Sequence, residues 1–327
     1  MLLKTLKSNQ PYHILLVPCL AIALWIKSFV DPQAFPFHPG EDAMLLYQPL
    51  SYLIEGNLLL NNIISLIFII LLSFLILKLN LQYTFIRIRS VLPACLFILI
   101  ISGMRDLHSM HPVYPAALFL LLTIDRIFDA YEIESIHSNA FDAGTFLAIG
   151  SLFYMNLVFF FPLLWIGFII LKQKVNWREY FLTTIGFALP WLAAFGYYFI
   201  AGKQEELSQT IQTNFTSHKL LLLENLPIQI YVGYLVLLTL LSSYFLLSQY
   251  ADKRISSRKY LKVIFWIFLI STILIAANRA VSQEIILLLA IPLTYLISNY
   301  FISMKHQLWG EVFIYLLTAA VVYLQFV

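Results

Sequence analysis

The sequence predicts an all-α, polytopic integral membrane protein: a single transmembrane domain, 1–327, of about eleven helices. Three observations support this prediction: the composition, the recurrence of apolar runs and the distribution of basic residues. Hydrophobic residues make up 61% of the 327 residues, and only 11% are charged. Because a soluble chain of this length has too little interior for so much apolar surface, lipid must surround it. The net charge of +3 belongs to the connecting loops and does not indicate nucleic-acid binding.

Apolar runs recur from Tyr12 to the C-terminus. In hydrocarbon the backbone must satisfy its own hydrogen bonds, so we expect each run to be an α-helix. The predicted spans are 12–30, 58–77, 91–104, 112–126, 143–155, 157–171, 181–201, 227–248, 262–277, 285–303 and 308–326.

Several predicted spans are shorter than the roughly 20 residues that a perpendicular crossing needs. For the pairs 91–104 with 112–126 and 143–155 with 157–171, re-entrant hairpins are the alternative to paired spans. Prolines interrupt these short helices at positions 93, 112, 115 and 162. Such breaks are tolerated where protein or a water-filled cavity covers the freed backbone, which predicts a cavity within the bundle.

Along the chain, connections that are rich in Lys and Arg alternate with connections that are poor in them. Fifteen of the twenty Lys and Arg residues fall on one set of connections and five on the other. Assigning the rich set to the cytoplasm predicts a cytoplasmic N-terminus and a periplasmic C-terminus. The two longest exterior connections, 31–57 and 202–225, each contain a stretch that is typical of an interfacial amphipathic helix.

Ionisable residues collect in the predicted exterior loops, close to the ends of spans. Charged groups at a membrane boundary are costly unless they face a cavity or a partner. A carboxylate beside cationic side chains suits transfer of a sugar from a lipid-phosphate donor to an acceptor hydroxyl. That carboxylate would take the acceptor proton or hold a divalent cation, and the first exterior loop offers Glu41 and Asp42. The candidate substrate-binding residues are Arg105, His108, His111 and Arg279.

The first exterior loop, with GEDAMLLYQPLSYLIEGN, resembles the opening loop of polyprenyl-phosphate-dependent glycosyltransferases of the GT-C superfamily. Glu41 and Asp42 match the acidic pair of that loop, and the resemblance implies Asp42 as the catalytic base or cation ligand, with Glu41 in support. In this chain Glu comes first and the usual aromatic spacing is missing. MHPVYPAALFLLL and SQEIILLLAIPLTYLIS are similar to two later segments, with Pro292 at the matching place and Arg279 just upstream. The resemblance implies a GT-C-like arrangement, a polyprenyl-phosphate-linked sugar as donor and a role in cell-envelope glycan assembly.

A second resemblance covers more of the chain. The order of HPVYPAALFLLL, FDAG, NWRE and a later Gly-x-x-x-Pro is similar to an uncharacterised multi-pass membrane family of Bacteroidota. These motifs begin at His111, Phe141, Asn176 and Gly186. This resemblance implies a multi-pass protein of the inner membrane with no established activity.

Each candidate residue also has a purely structural interpretation. Asp42 is suited to capping an interfacial helix, and Arg105 and Arg279 to anchoring at lipid phosphates. His108 and His111 have a ligand-like spacing, but no third ligand is near them in sequence, so no metal site is predicted. The alternative function is therefore a non-enzymatic scaffold or accessory subunit, whose protein partners the sequence does not identify. A transporter is disfavoured because the spans carry almost no charge.

Overall fold

A computed structural model describes residues 11–35, 37, 40–54, 56–84, 86, 90–133, 135–172, 176–216, 226–250, 253–277, 283–304 and 307–326. These residues form thirteen α-helices and three short 3-10 helices, with no β-strand among them. The α-helices are α1 (Leu16–Val30), α2 (Gln48–Ile54), α3 (Leu58–Tyr83), α4 (Leu92–Ser102), α5 (Val113–Asp129), α6 (His137–Phe153), α7 (Phe161–Leu171), α8 (Trp177–Ile200), α9 (Gln204–Thr216), α10 (Leu226–Ser248), α11 (Ile255–Ala277), α12 (Ile285–Ser303) and α13 (Gln307–Leu324). The 3-10 helices are Pro11–Leu15, Arg105–His108 and Met155–Phe160.

The all-α prediction is confirmed, and a helix occurs at each of the eleven predicted positions. Among the described residues, six helical segments are long and apolar enough to cross a membrane. They are His13–Val30, Leu58–Tyr83, Trp177–Ile200, Leu226–Ser248, Ile255–Ala276 and Ile285–Ser303. The chain is thus a membrane protein by the length and composition of its helices, while the total of about eleven spans stays a prediction.

The predicted exterior connections also contain helices. Helix α9 lies in the connection 202–225, and α2 lies in the connection 31–57. Helix α2 begins at Gln48, six residues after Asp42, so Asp42 does not cap it.

Helix α12 forms the centre of the bundle. Fifteen of its nineteen residues are buried, and it packs against α4, α5, α10 and α11. The neighbouring helix α4 is only eleven residues long, and all eleven are buried. Protein therefore covers this short, proline-started helix, which is one of the two ways in which such a break is tolerated. The predicted cavity within the bundle stays a prediction.

The most extensive helix contact joins α6 to α8. Two glycines make this close approach possible, because a Cβ atom at either position would overlap backbone of the other helix. At Gly144 it would meet the carbonyl oxygen of Thr183, and at Gly186 that of Phe141. Small residues at helix crossings are typical of membrane proteins, where close backbone approach increases van der Waals contact.

The two ends of the bundle differ in their polar contacts. At one end the predicted exterior connections meet, through Asp31 with Arg105 and through the Asn214 amide, which donates to the Gly40 carbonyl oxygen at 2.7 Å. At the other end the predicted cytoplasmic connections meet. The ion pairs there are Lys78 with Asp125, Arg126 with Asp129 and Asp142, and Lys172 with Glu179. The connections thus gather in the two groups that the basic residues predicted, and which group faces the cytoplasm stays a prediction.

Candidate functional site

A buried pair of Glu41 and His111 lies at the end of the bundle where the predicted exterior connections meet. The His111 Nε2 atom is 3.4 Å from the Glu41 Oε2 atom, and the side chains are 0% and 1% exposed. Pro112 follows His111 directly, and α5 begins at Val113. Since proline suits the start of a helix, Pro112 takes the N-cap position, and His111 lies one residue before it.

The hydrogen bonds of His111 assign its proton. The backbone N–H of Val113 donates to Nδ1 at 3.1 Å, so Nδ1 must be unprotonated. In the neutral ring the proton is then on Nε2, from which it points to the Glu41 carboxylate. Both ring nitrogens are engaged, so the Glu41 carboxylate is the group of this pair that suits proton transfer.

Aromatic side chains enclose the imidazole ring of His111. Phe35 and Phe37, from the connection that precedes Glu41, have ring centroids 4.4 and 5.5 Å from it. Tyr154 approaches from another side, with its centroid at 6.1 Å and its plane nearly perpendicular. This apolar shell excludes water and strengthens the electrostatic attraction between ring and carboxylate.

A second carboxylate lies close to this pair. The Tyr154 hydroxyl, in the turn between α6 and the 3-10 helix at Met155–Phe160, donates to Glu284 Oε1 at 3.1 Å. Tyr154 is itself buried, with 2% of its surface exposed. Glu284 is 0% exposed and directly precedes α12. The positive end of the helix dipole favours a carboxylate at that place.

His108 lies in a different buried network, between α1 and α3. Its ring stacks on Trp25 with centroids 3.9 Å apart, and its Nδ1 is 2.6 Å from the Ser28 hydroxyl. The Ser65 hydroxyl donates to the backbone oxygen of His108. Burial lowers the pKa of His108 to about 3, so its ring is neutral at ordinary pH and cannot attract phosphate by charge.

Arg105 and Asp42 are the other candidates among the described residues. Arg105 forms an ion pair with Asp31 at 2.5 Å, and its side chain is 21% exposed. Asp42 is exposed, although the neighbouring Glu41 is buried. Arg279 lies outside the described residues.

The sequence candidates did not include Tyr154 or Glu284 in the site. Glu284 had a usable signal, because it is a carboxylate immediately before an apolar run. Tyr154 had none, since one tyrosine among nineteen in an apolar chain carries no distinguishing pattern.

The described residues contain no group of three or more His, Cys, Asp or Glu side chains placed to hold a metal ion. A cavity of about 520 Å³ lies between α8 and α9, lined by apolar side chains such as Phe195, Phe199 and Leu207. None of the five candidate residues that the structure describes lines it.

The profile of a protein family described as a family of unknown function (DUF6427) matches residues 126–327. The match begins within α5 and includes Tyr154 and Glu284, while Glu41 and His111 precede it. No match to the chain was found among curated proteins or among solved structures.

Proposed function

The chain belongs to the DUF6427 family, and we propose that this membrane protein is an inner-membrane enzyme that acts at its periplasmic end. In this proposal Glu41 is the proton acceptor. The reaction is transfer of a sugar from a polyprenyl-phosphate donor to an acceptor hydroxyl in envelope glycan assembly. The resemblance of the first exterior loop to GT-C glycosyltransferases and the chemistry of the Glu41–His111 pair support this proposal.

The buried Glu41–His111 pair is the observation that carries the proposal. A buried ionisable pair is costly to desolvate and rarely improves stability over apolar packing. Such groups near a membrane boundary are therefore candidates for function. The second buried carboxylate, Glu284, adds to this cost within the same region.

The proposed step uses the geometry of the pair. The acceptor hydroxyl gives its proton to the Glu41 carboxylate while the hydroxyl oxygen forms a bond to the anomeric carbon of the sugar. The bond between that carbon and the donor phosphate oxygen breaks, and the lipid phosphate leaves. The Nε2–H of His111 keeps the carboxylate oriented. Arg105 and Arg279 balance the charge of the leaving phosphate in this proposal. Asp42 has the outer position, where it can contact the acceptor or a divalent cation.

Glu41→Gln and Asp42→Asn form a matched pair for the test. Both remove one carboxylate with little change in shape, and the two positions differ in burial. We expect Glu41→Gln to abolish restoration of the envelope glycan profile in a deletion strain, at normal membrane abundance. Asp42→Asn should restore it largely. If only Asp42→Asn fails to restore the glycan profile, Asp42 and not Glu41 is the proton acceptor. If both variants restore the profile, an enzymatic role for this acidic pair is contradicted.

A non-enzymatic scaffold or accessory subunit is the second candidate function. The bonding of two candidate residues favours it, because Arg105 is paired with Asp31 and His108 is held in a neutral network. In that case these side chains hold the exterior end together. A deletion strain with unchanged glycans but a destabilised partner complex would favour this candidate.

A further inference from the structure

A groove with basic residues on its rim lies at the opposite end of the bundle, between α10 and α11. It encloses about 250 Å³ and is lined by Leu246, Leu247, Tyr250, Leu261, Lys262 and Phe265. Both helices are candidate membrane spans, and Leu247 and Phe265 are exposed at 69% and 41%. The floor and walls of the groove are therefore apolar and open toward the surrounding lipid.

Three basic residues lie along the rim at the polar end of this groove. Arg254, Arg258 and Lys262 are spaced four residues apart at the start of α11, so they lie on one face over about 12 Å. The Arg258 guanidinium is 5.7 Å from the ring centroid of Tyr250, which lines the groove. Lys262 lines it directly.

The other two basic residues of this segment already have protein partners. Lys253 donates to the Asn299 side-chain oxygen at 2.8 Å, and Lys259 donates to the Leu171 carbonyl oxygen at 3.1 Å. Within the described part of the chain, no carboxylate pairs with Arg254, Arg258 or Lys262. Two of the five basic residues of this segment thus contact other protein groups, and three lie along the groove.

Among the described residues, the charges at this rim favour the binding of an anion. Like charges at a spacing of four residues on a helix repel each other. The N-terminal end of a helix is itself partly positive, and Arg254 and Arg258 flank the first turn of α11. An anion at the rim would relieve both repulsions.

We infer that this groove binds an anionic phospholipid. The phosphate contacts Arg258 and Lys262, and one acyl chain lies along Leu246, Leu247 and Phe265. The charge complementarity at the rim and the apolar lining toward the membrane identify a lipid of the adjacent leaflet as the occupant. This inference does not depend on the proposed enzymatic function.

The test compares two double variants of the full chain, purified in a neutral detergent. The rim variant, Arg258→Gln with Lys262→Gln, removes two positive charges from the rim of the groove. The control variant, Lys78→Gln with Arg178→Gln, removes two exposed positive charges elsewhere at the same end. The thermal midpoint is measured with added phosphatidylglycerol, phosphatidylcholine or inorganic phosphate. Native mass spectrometry counts the retained phospholipid.

We expect phosphatidylglycerol alone to raise the midpoint of the wild type and of the control variant. The rim variant should lose this shift, with affinity falling about fivefold for each charge removed. An equal response of the two double variants would overturn the inference, because general charge attraction would explain it. An equal effect of inorganic phosphate would overturn it as well, since no lipid chain would be needed.

Leu247→Trp tests the apolar part of the groove without changing charge. Leu247 is largely exposed, so the protein should accept the larger ring at the surface. We expect the ring to occupy the space of the acyl chain and to reduce the retained phosphatidylglycerol to the level of the rim variant. Unchanged retention in a folded Leu247→Trp protein would show that the lipid does not lie in the groove.

Discussion

Pairs of buried ionisable side chains lie among the described residues, and two of these pairs join positions 70 and 130 residues apart. Glu41 meets His111, Tyr154 meets Glu284, and Lys172 meets Glu179. An unpaired charge in the interior would cost several kcal/mol. These pairs therefore select one packing arrangement among many that would bury apolar side chains equally well.

His108 makes stability depend on pH. Its pKa is about 3 in the folded protein, because of burial, and about 6.5 in an unfolded chain. The unfolded chain therefore binds more protons between these values, so the free energy of unfolding falls as the pH drops below about 6.5. The contribution has an upper limit of about 1.4 kcal/mol per pH unit.

His108→Phe should flatten this dependence between pH 7 and pH 4.5 while keeping the ring stacked on Trp25. Thermal midpoints in detergent across this range would show the change in slope. His137→Phe is the matched control, since His137 is exposed and should leave the slope as in the wild type. An unchanged slope in His108→Phe would contradict the assignment of a buried, neutral His108.

Lys172→Met should destabilise the protein by about 3–5 kcal/mol, because Glu179 would keep a buried charge without its cation. Glu179 also accepts from the Asn176 backbone N–H at 2.9 Å, and it is only 2% exposed. Adding Glu179→Gln should recover most of the loss, since the neutral amide still accepts that bond. Denaturation in detergent would compare the variants, and a double variant no more stable than Lys172→Met would contradict the explanation.

At the scale of secondary structure, the helices α6 and α8 depend on glycine where they cross. Gly144 and Gly186 each lie against backbone atoms of the other helix, which cannot move aside as a side chain can. Thr145 adds a hydrogen bond of 3.3 Å to the Gly186 carbonyl oxygen. The crossing thus combines close packing with an interhelical hydrogen bond, as is common in membranes.

Gly186→Val should separate these helices and lower stability by about 1–3 kcal/mol or more. Gly196→Val is the matched control in the same helix, because a Cβ atom there has no neighbour within 4 Å. Size-exclusion profiles and thermal midpoints would measure the difference. Equal effects of the two substitutions would show that helix propensity, and not the crossing, determines the loss.

Helix boundaries differ from the predicted ones where charge was taken to end a span. Helix α11 begins at Ile255, seven residues before the predicted start at residue 262. Lys and Arg are good helix formers, so the basic segment continues the helix beyond the apolar run. Composition therefore locates the apolar run of a helix, while the helix itself can begin several residues before that run.

At the scale of the whole molecule, the bundle has a central apolar helix and two chemically different ends. One end holds buried Glu41, His111 and Glu284. The other end holds several Lys and Arg ion pairs and the basic rim of the lipid groove. Helix α12 joins them, with Glu284 at its start and Asn299 near its end. This separation is consistent with different partners at the two membrane faces.

The distribution of basic residues predicts a cytoplasmic N-terminus and a periplasmic C-terminus. A reporter enzyme that is active only outside the cytoplasm should work when fused after Val327. The same reporter should be inactive when fused after Ser248, at the end of α10. Activity in the opposite pattern would invert the assignment of both ends and move the proposed site to the cytoplasm.

The sequence by itself determined the all-α class, the helix positions and the grouping of connections, because composition and charge act locally along the chain. It also selected Glu41 and His111 among its candidates, and it favoured Asp42 over Glu41 for proton transfer. Only the tertiary structure decided that Glu41 is buried beside His111, 70 residues away, and that Tyr154 reaches Glu284, 130 residues away. The physical reason is that burial of a polar group depends on which helices pack together, and apolar helices of similar composition do not specify their neighbours by pattern alone.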